Sequence, residues 1–181
     1  MARILCTERL LRRLRPRPAR SRDTNGPLVS GTVLGNWAAT VARLKRRDLV
    51  IALNDRTYLT LLFPFARPDA FRSDFADALG RALRDHDVPR DVAVREGAEI
   101  EVARFARLTD RLLRTALDNA EFICGIEMDY EDDLREVQAA LNEFPHPNRE
   151  PSVPTEAVLL LFAVLAARRG RSSGLLSARS H

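Results

Sequence analysis

Within four residues, Asn54, Asp55, Arg56 and Thr57 supply an amide, a carboxylate, a guanidinium and a hydroxyl. With Trp37 as an apolar wall and Arg111 as a second cation, they are the set from which a small enzyme or ligand-binding pocket could be assembled. Catalysis would also need a base or nucleophile held by a partner, and no histidine or cysteine adjoins them in sequence. The same residue types serve equally well as a turn, because Asn and Asp side chains bond their own backbone and tolerate left-handed angles.

A second polar cluster, Lys45, Arg46 and Arg47, falls between two apolar runs. Three adjacent cations on a hairpin tip have the reach to touch a phosphate backbone. No aromatic residue flanks them to stack a base, and charged residues are what an exposed turn ordinarily carries. Glu127, Asp129, Glu131, Asp132 and Asp133 crowd carboxylates into seven positions, but without the glycine and distal glutamate of a calcium loop. Acids at a helix start are favoured by the helix dipole whether or not a metal is present.

His86, His146 and His181 show no metal-ligand spacing, and Cys6 and Cys124 stand 118 positions apart with no Cys-x-x-Cys. That excludes a disulfide scaffold and a typical structural zinc site, and fits a reducing cytoplasm. No glycine-rich phosphate loop or nucleophile elbow occurs. The sequence therefore implies neither metal nor cofactor. Its longest apolar run, residues 157–167, is about half of what crosses a bilayer, so no membrane span is expected.

The net charge of +4 is unevenly spread. Residues 1–24 carry eight Arg against Glu8 and Asp23, and residues 166–181 carry four Arg and no acid. The stretch 25–165 is accordingly net acidic, at −6. A domain selected to bind phosphates would concentrate cations on a folded face rather than at its ends. Arginine is moreover the habitual cation of this chain, with Lys45 its single lysine. Nucleic acid is thus one partner class among the macromolecules to consider.

The elements that must position these groups follow from periodicity. Arg3 to Cys6 reads as a short strand and Thr7 as the cap of a helix carrying Leu10, Leu11 and Leu14. Prolines and glycines make 16–33 a long loop. Strands are expected at 37–44, 48–53 and 57–63, joined by short turns into an antiparallel meander. The middle strand has the continuous apolar run of one buried on both faces.

After Pro64 and Pro68, Asp69 opens an amphipathic helix through Phe71, Phe75, Leu79 and Leu83. Residues 99–105 alternate loosely as a strand. Helical spacing resumes over 108–122, again from Tyr130 to Leu141, and finally from Thr155. Arg168 onward reads as a basic disordered tail. The expected architecture is α+β: a small antiparallel meander packed against four or five helices, in a single domain spanning 1–167.

At "CTERLLRRL" (6–14), "GNWAAT" (35–40), "RR" (46 and 47), "LNDRTYLTLL" (53–62), Arg111 and "LNEFP" (141–145) the chain resembles an uncharacterised family of short bacterial proteins. That family has a T-x-K-L-L start, a W-x-A-N hairpin, an R-R turn and a T-N-x-x-T-L stretch. The chain departs from it at Thr40 in place of Asn, at Arg9 in place of Lys, and at "RTALDN" (114–119), where the family has a smaller, glycine-containing stretch. The resemblance implies a bacterial source and a shared fold, and brings no activity, substrate or cofactor. The function expected is a non-catalytic interaction module for a protein or nucleic acid, with Arg12, Arg13, Arg15, Lys45, Arg46 and Arg47 as first contacts. The alternative is the pocket around Trp37, Asn54, Asp55, Arg56 and Arg111.

Overall fold

The computed structural model describes residues 2–15, 32–147 and 149–177, the stretch 168–177 as backbone only. In chain order the elements are β1 (Arg3–Cys6), α1 (Glu8–Leu14), β2 (Trp37–Leu44), β3 (Arg47–Asn54), β4 (Thr60–Pro64), α2 (Phe71–Asp85), α3 (Arg90–Glu101), β5 (Arg104–Arg107), α4 (Arg111–Tyr130), α5 (Leu134–Glu143) and α6 (Pro154–Ser177).

The strands form one five-stranded sheet in the order β4-β3-β2-β1-β5. β2, β3 and β4 are the expected antiparallel meander, but β1 lies parallel to both β2 and β5, so the sheet is mixed. The expected purely antiparallel sheet is corrected by these two parallel pairings. Each is nonlocal: helix α1 and the following segment separate β1 from β2, and about a hundred residues separate it from β5. Most of the predicted loop, 16–31, lies outside the described residues, as do 178–181 of the predicted tail. In place of the rest of that tail, α6 continues to Ser177.

Side-chain alternation sends residues to two cores. From β3, Val50 and Ala52 face one core, with Ile4, Trp37, Phe63, Phe75 and Leu79; Leu49, Ile51 and Leu53 face the other, with Leu117, Cys124, Val137 and Leu141. The first core is roofed by α1, α2, α3 and the start of α6, the second by α4 and α5. A strand covered on both faces needs an unbroken apolar run, and "LVIAL" provides it.

Local signals explain most boundaries. The hydroxyl of Thr7 accepts from Leu10 N at 3.3 Å and starts α1. Asp110 accepts from Leu113 N at 3.0 Å and starts α4, and Asp133 accepts from Arg135 N at 2.8 Å and starts α5. The strand expected at 99–105 is instead the end of α3 followed by β5. Val92, Ala93, Glu96 and Ile100 recur at helical steps and are buried, while the strand pairing begins at Arg104 against Arg3. Tyr130 closes α4 rather than opening the next helix.

The β2–β3 hairpin turns on two residues, Lys45 and Arg46, both with positive φ (41° and 63°). This is the backbone of the turn that matches strand twist, normally occupied by Asn-Gly. Arginine there holds a left-handed conformation against its Cβ. Arg46→Gly is expected to raise stability by about 0.5–1 kcal/mol, a rise of about 1–4 °C in Tm for a chain of this size. An unchanged or lowered Tm in a thermal melt would show that the turn is unstrained.

One sheet edge is closed by side chains. On β4, Thr60 N donates to Asn142 Oδ1 at 2.7 Å and Thr60 O accepts from Asn142 Nδ2 at 3.0 Å, while Leu62 N donates to Gln138 Oε1 at 2.8 Å. Helix α5 thus supplies the ladder bonds that a sixth strand would make.

Candidate functional site

The turn after β3 begins with Asn54, which is fully buried and bonded through both ends of its amide. Its Nδ2 donates to Leu34 O at 2.8 Å and Asn36 O at 3.1 Å. Its Oδ1 accepts from Arg56 N, Thr57 N and the Thr57 hydroxyl at 3.1, 2.9 and 3.0 Å. An amide engaged in this way fixes backbone and has no further bond to offer a ligand.

Asp55 is half-buried and paired with Asn36 through both carboxylate oxygens and its backbone N–H. Oδ1 accepts from Asn36 N and Oδ2 from Asn36 Nδ2, both at 3.0 Å, and Asp55 N donates to Asn36 O at 3.0 Å. Burial raises its carboxyl above the ordinary Asp range, opposed by those Asn36 bonds and by Arg56 and Arg149. Gly35 allows the close approach. Its φ is +83°, and a Cβ there would come within 2.8 Å of Arg56 Nε and 2.9 Å of Asp55 Oδ1.

Arg56 donates to Val33 O at 2.8 Å. From the proline-rich connector after α5, Arg149 donates to Asp55 O at 2.7 Å and Arg56 O at 3.2 Å, and its guanidinium stacks 4.2 Å above the Tyr58 ring. His146 meets the same ring edge-on at 4.8 Å, and burial followed by the nearby Arg149 charge lowers its pKa. On the other side, buried Glu96 accepts from Val33 N at 2.8 Å and Leu34 N at 3.3 Å. Burial raises its carboxyl too, against the pull of those two bonds.

The structure therefore brings Asn54, Asp55 and Arg56 together, and adds Asn36, Glu96 and Arg149, which the sequence did not single out, and His146, which the sequence set aside for want of metal-ligand spacing. It does not bring in Trp37 or Arg111. Trp37 pairs with Asn54 across the β2–β3 ladder, but its indole is buried in the first core, edge-on to Phe75 at 5.3 Å. Arg111 is the exposed first residue of α4, and among the described residues no bond joins it to the turn. None of the five lines the cleft of about 210 Å³ between α2 and α5 or the apolar one of about 300 Å³ beside α6.

The basic hairpin is largely neutralised by neighbours. Lys45 lies 3.4 Å from Asp132, and Arg47 donates to Asp132 O at 3.5 Å. Asp48 takes Arg13 at 2.7 Å and Arg43 at 2.9 Å, and these bonds hold its carboxyl below the ordinary range. Arg12 pairs with Glu8, and Arg15 ends α1 with a positive φ. Arg46 is exposed at the tip. The acidic stretch is also accounted for: Asp133 caps α5, Glu131 accepts from Asp133 N at 2.7 Å, and Asp132 holds the hairpin. Among the described residues no His, Cys, Asp and Glu group of metal-binding form occurs. Burial pushes the Cys6 thiol up to about 12 and Cys124 to about 11, so neither is an activated nucleophile.

Among the exposed large apolar side chains, four lie on the outer face of α4. Leu112, Phe122, Ile126 and Tyr130 are 75%, 69%, 42% and 87% exposed. Steps of four link the last three, and Leu112 continues their line toward the N-terminus. This stripe gave no clear signal in the sequence, because the inward line of Leu113, Leu117, Ala120 and Cys124 runs beside it.

A mixed five-stranded sheet between two helical layers, with a tied polar turn after β3, defines an α+β domain. The chain belongs to the family described as a domain of unknown function (DUF6933), whose model matches residues 3–157. The match thus ends within the first turn of α6. No curated protein matches the chain. Among the described residues no helix is long and apolar enough to cross a membrane.

Proposed function

We propose that this domain is a non-catalytic interaction module and that its contact surface is the outer face of α4. The observation that carries this is the aligned exposure of Leu112, Phe122, Ile126 and Tyr130. Single exposed apolar residues are ordinary on a protein surface, whereas a contiguous row of large ones is what a partner covers. A protein partner fits this surface better than a nucleic acid, since the exposed row is apolar and the hairpin cations Lys45 and Arg47 are already held by Asp132. The rival enzyme reading loses support because Trp37 and Arg111 stand away from Asn54, Asp55 and Arg56. A bacterial, cytoplasmic setting belongs to the same proposal, and the unpaired, buried Cys6 and Cys124 favour a reducing compartment.

The test substitutes Phe122→Glu and Ile126→Glu together. Both side chains leave the core untouched, so the Tm should hold while recovery of partners by the tagged chain falls to background. If the substituted chain recovers the same partners as the parent, the α4 surface is not the contact.

A further inference from the structure

Inside its Asp110 cap, the charge along α4 runs against its own dipole. A helix favours acids in its first turn and bases in its last. α4 has no acid in its first turn and no base in its last; Arg111 opens it, and Asp129 and Glu131 stand at its end. All three are exposed, and Asp129 is one whole number of turns from Arg111, so both flank the same side of the stripe. An isolated helix gains nothing from this arrangement. A second helix laid antiparallel does, because its acidic end then lies beside the basic start of the first.

The stripe has the matching symmetry. Its exposed positions are Leu112, Thr115, Asn119, Phe122, Ile126 and Tyr130. Reversed about the middle of the helix, between Ala120 and Glu121, Thr115 falls opposite Ile126 and Asn119 opposite Phe122, while Leu112 falls opposite Asp129, one residue from Tyr130. In that register Arg111 falls between Asp129 and Glu131. Small therefore meets large at the centre, as interdigitating helices require. In antiparallel pairs, residues on one flank face the same flank of the partner helix, which brings the charges into contact.

From this we infer that the occupant of the α4 surface is a second copy of this chain, packed isologously with the two α4 helices antiparallel. The inference rests on the interaction-module reading and names its partner. Each Arg111 pairs with Asp129 and Glu131 of the other copy, and Phe122 and Ile126 fill the centre.

Sedimentation of the full chain from micromolar to several hundred micromolar tests it. The expected result is a concentration-dependent shift from 20.4 kDa to twice that mass. Arg111→Glu or Asp129→Arg alone should each weaken the dimer about tenfold, since two symmetry-related contacts are lost at once. The double exchange Arg111→Glu with Asp129→Arg should restore it, which a merely structural role for either residue would not produce. Each single change improves the match to the helix dipole, so a folding defect is not a competing cause, and circular dichroism should show unchanged helix content.

A single species of 20.4 kDa at every concentration overturns the inference. So does weakening by the single changes without restoration by the double exchange. So does hydrogen-exchange protection of α4 that vanishes when residues 16–31 are deleted, which would give the surface to the chain's own segment. If the chain is monomeric yet Phe122→Glu with Ile126→Glu still abolishes capture of a different protein, the interaction reading survives and only the homotypic partner falls. If capture is also unaffected, both fall.

Discussion

Replacing Asn54 with leucine is expected to lower the free energy of unfolding by about 3–5 kcal/mol, because buried polar groups that lose a partner cost about 1–3 kcal/mol each. The bonds at risk are those of Leu34 O, Thr57 N and the Thr57 hydroxyl, all in buried residues; Asn36 O keeps its bond from Asp55 N. Leucine has a similar volume, so the loss is of bonds and not of packing. Against a typical total of about 5–15 kcal/mol this is a large share of the stability. Urea unfolding followed by circular dichroism measures it. A loss below 1 kcal/mol would mean that the turn is held by its backbone alone, and would leave Asn54 available as a ligand group after all.

The reason Asn54 matters was half legible in the sequence. Asn-Asp-Arg-Thr announces turn chemistry from residue types alone, and that reading fits what Asn54 does with Arg56 and Thr57. Its bonds to Leu34 and Asn36, and the grip of Arg149 on the same turn, join segments far apart in the chain, and no local pattern encodes them. The same division runs through the fold. The continuous run of β3, the cap at Thr7 and a short turn around Lys45 to Arg47 are local and were readable, though β3 already begins at Arg47. The placement of β1 inside the sheet depends on pairing with β2 and with β5, and so was not.

Helix and strand periods also compete where apolar residues are sparse. Residues 99–105 alternate over too few positions to separate a helix end from a strand, and it is burial of Val92, Glu96 and Ile100 that decides for α3. At Tyr130 the steps to Leu134, Val137 and Leu141 continue a helical rhythm across the break at Glu131 to Asp133, so the sequence joined Tyr130 to the wrong helix. The error hid the stripe. With Tyr130 restored to α4, the line from Leu112 becomes visible as a surface too apolar for its exposure, and the reversed charges beside it acquire a reason.

Asn142 gives the second large effect. Asn142→Ala is expected to destabilise the fold by about 2–4 kcal/mol, because Thr60 N and Thr60 O both lose partners in a buried position. Gln138→Ala should cost only about 1 kcal/mol, since it releases one bond, from Leu62 N. The two differ also in a second readout. An unpaired strand edge is a template for another strand, so Asn142→Ala should increase light scattering at temperatures where the parent chain stays clear, and Gln138→Ala should do so less. Asn142→Asp separates the two roles of the amide. It keeps the acceptor for Thr60 N but sets a carboxylate oxygen against Thr60 O in a buried position, so its stability at neutral pH should fall to that of alanine or below. If Asn142→Ala unfolds at the parent's urea midpoint and stays clear on heating, α5 covers the edge by packing alone and its amide bonds add nothing. If aspartate and alanine both fall below the parent in both readouts, the asparagine of "LNEFP" is where α5 closes the sheet, and residues inside the family match seal an edge while α4 is left open.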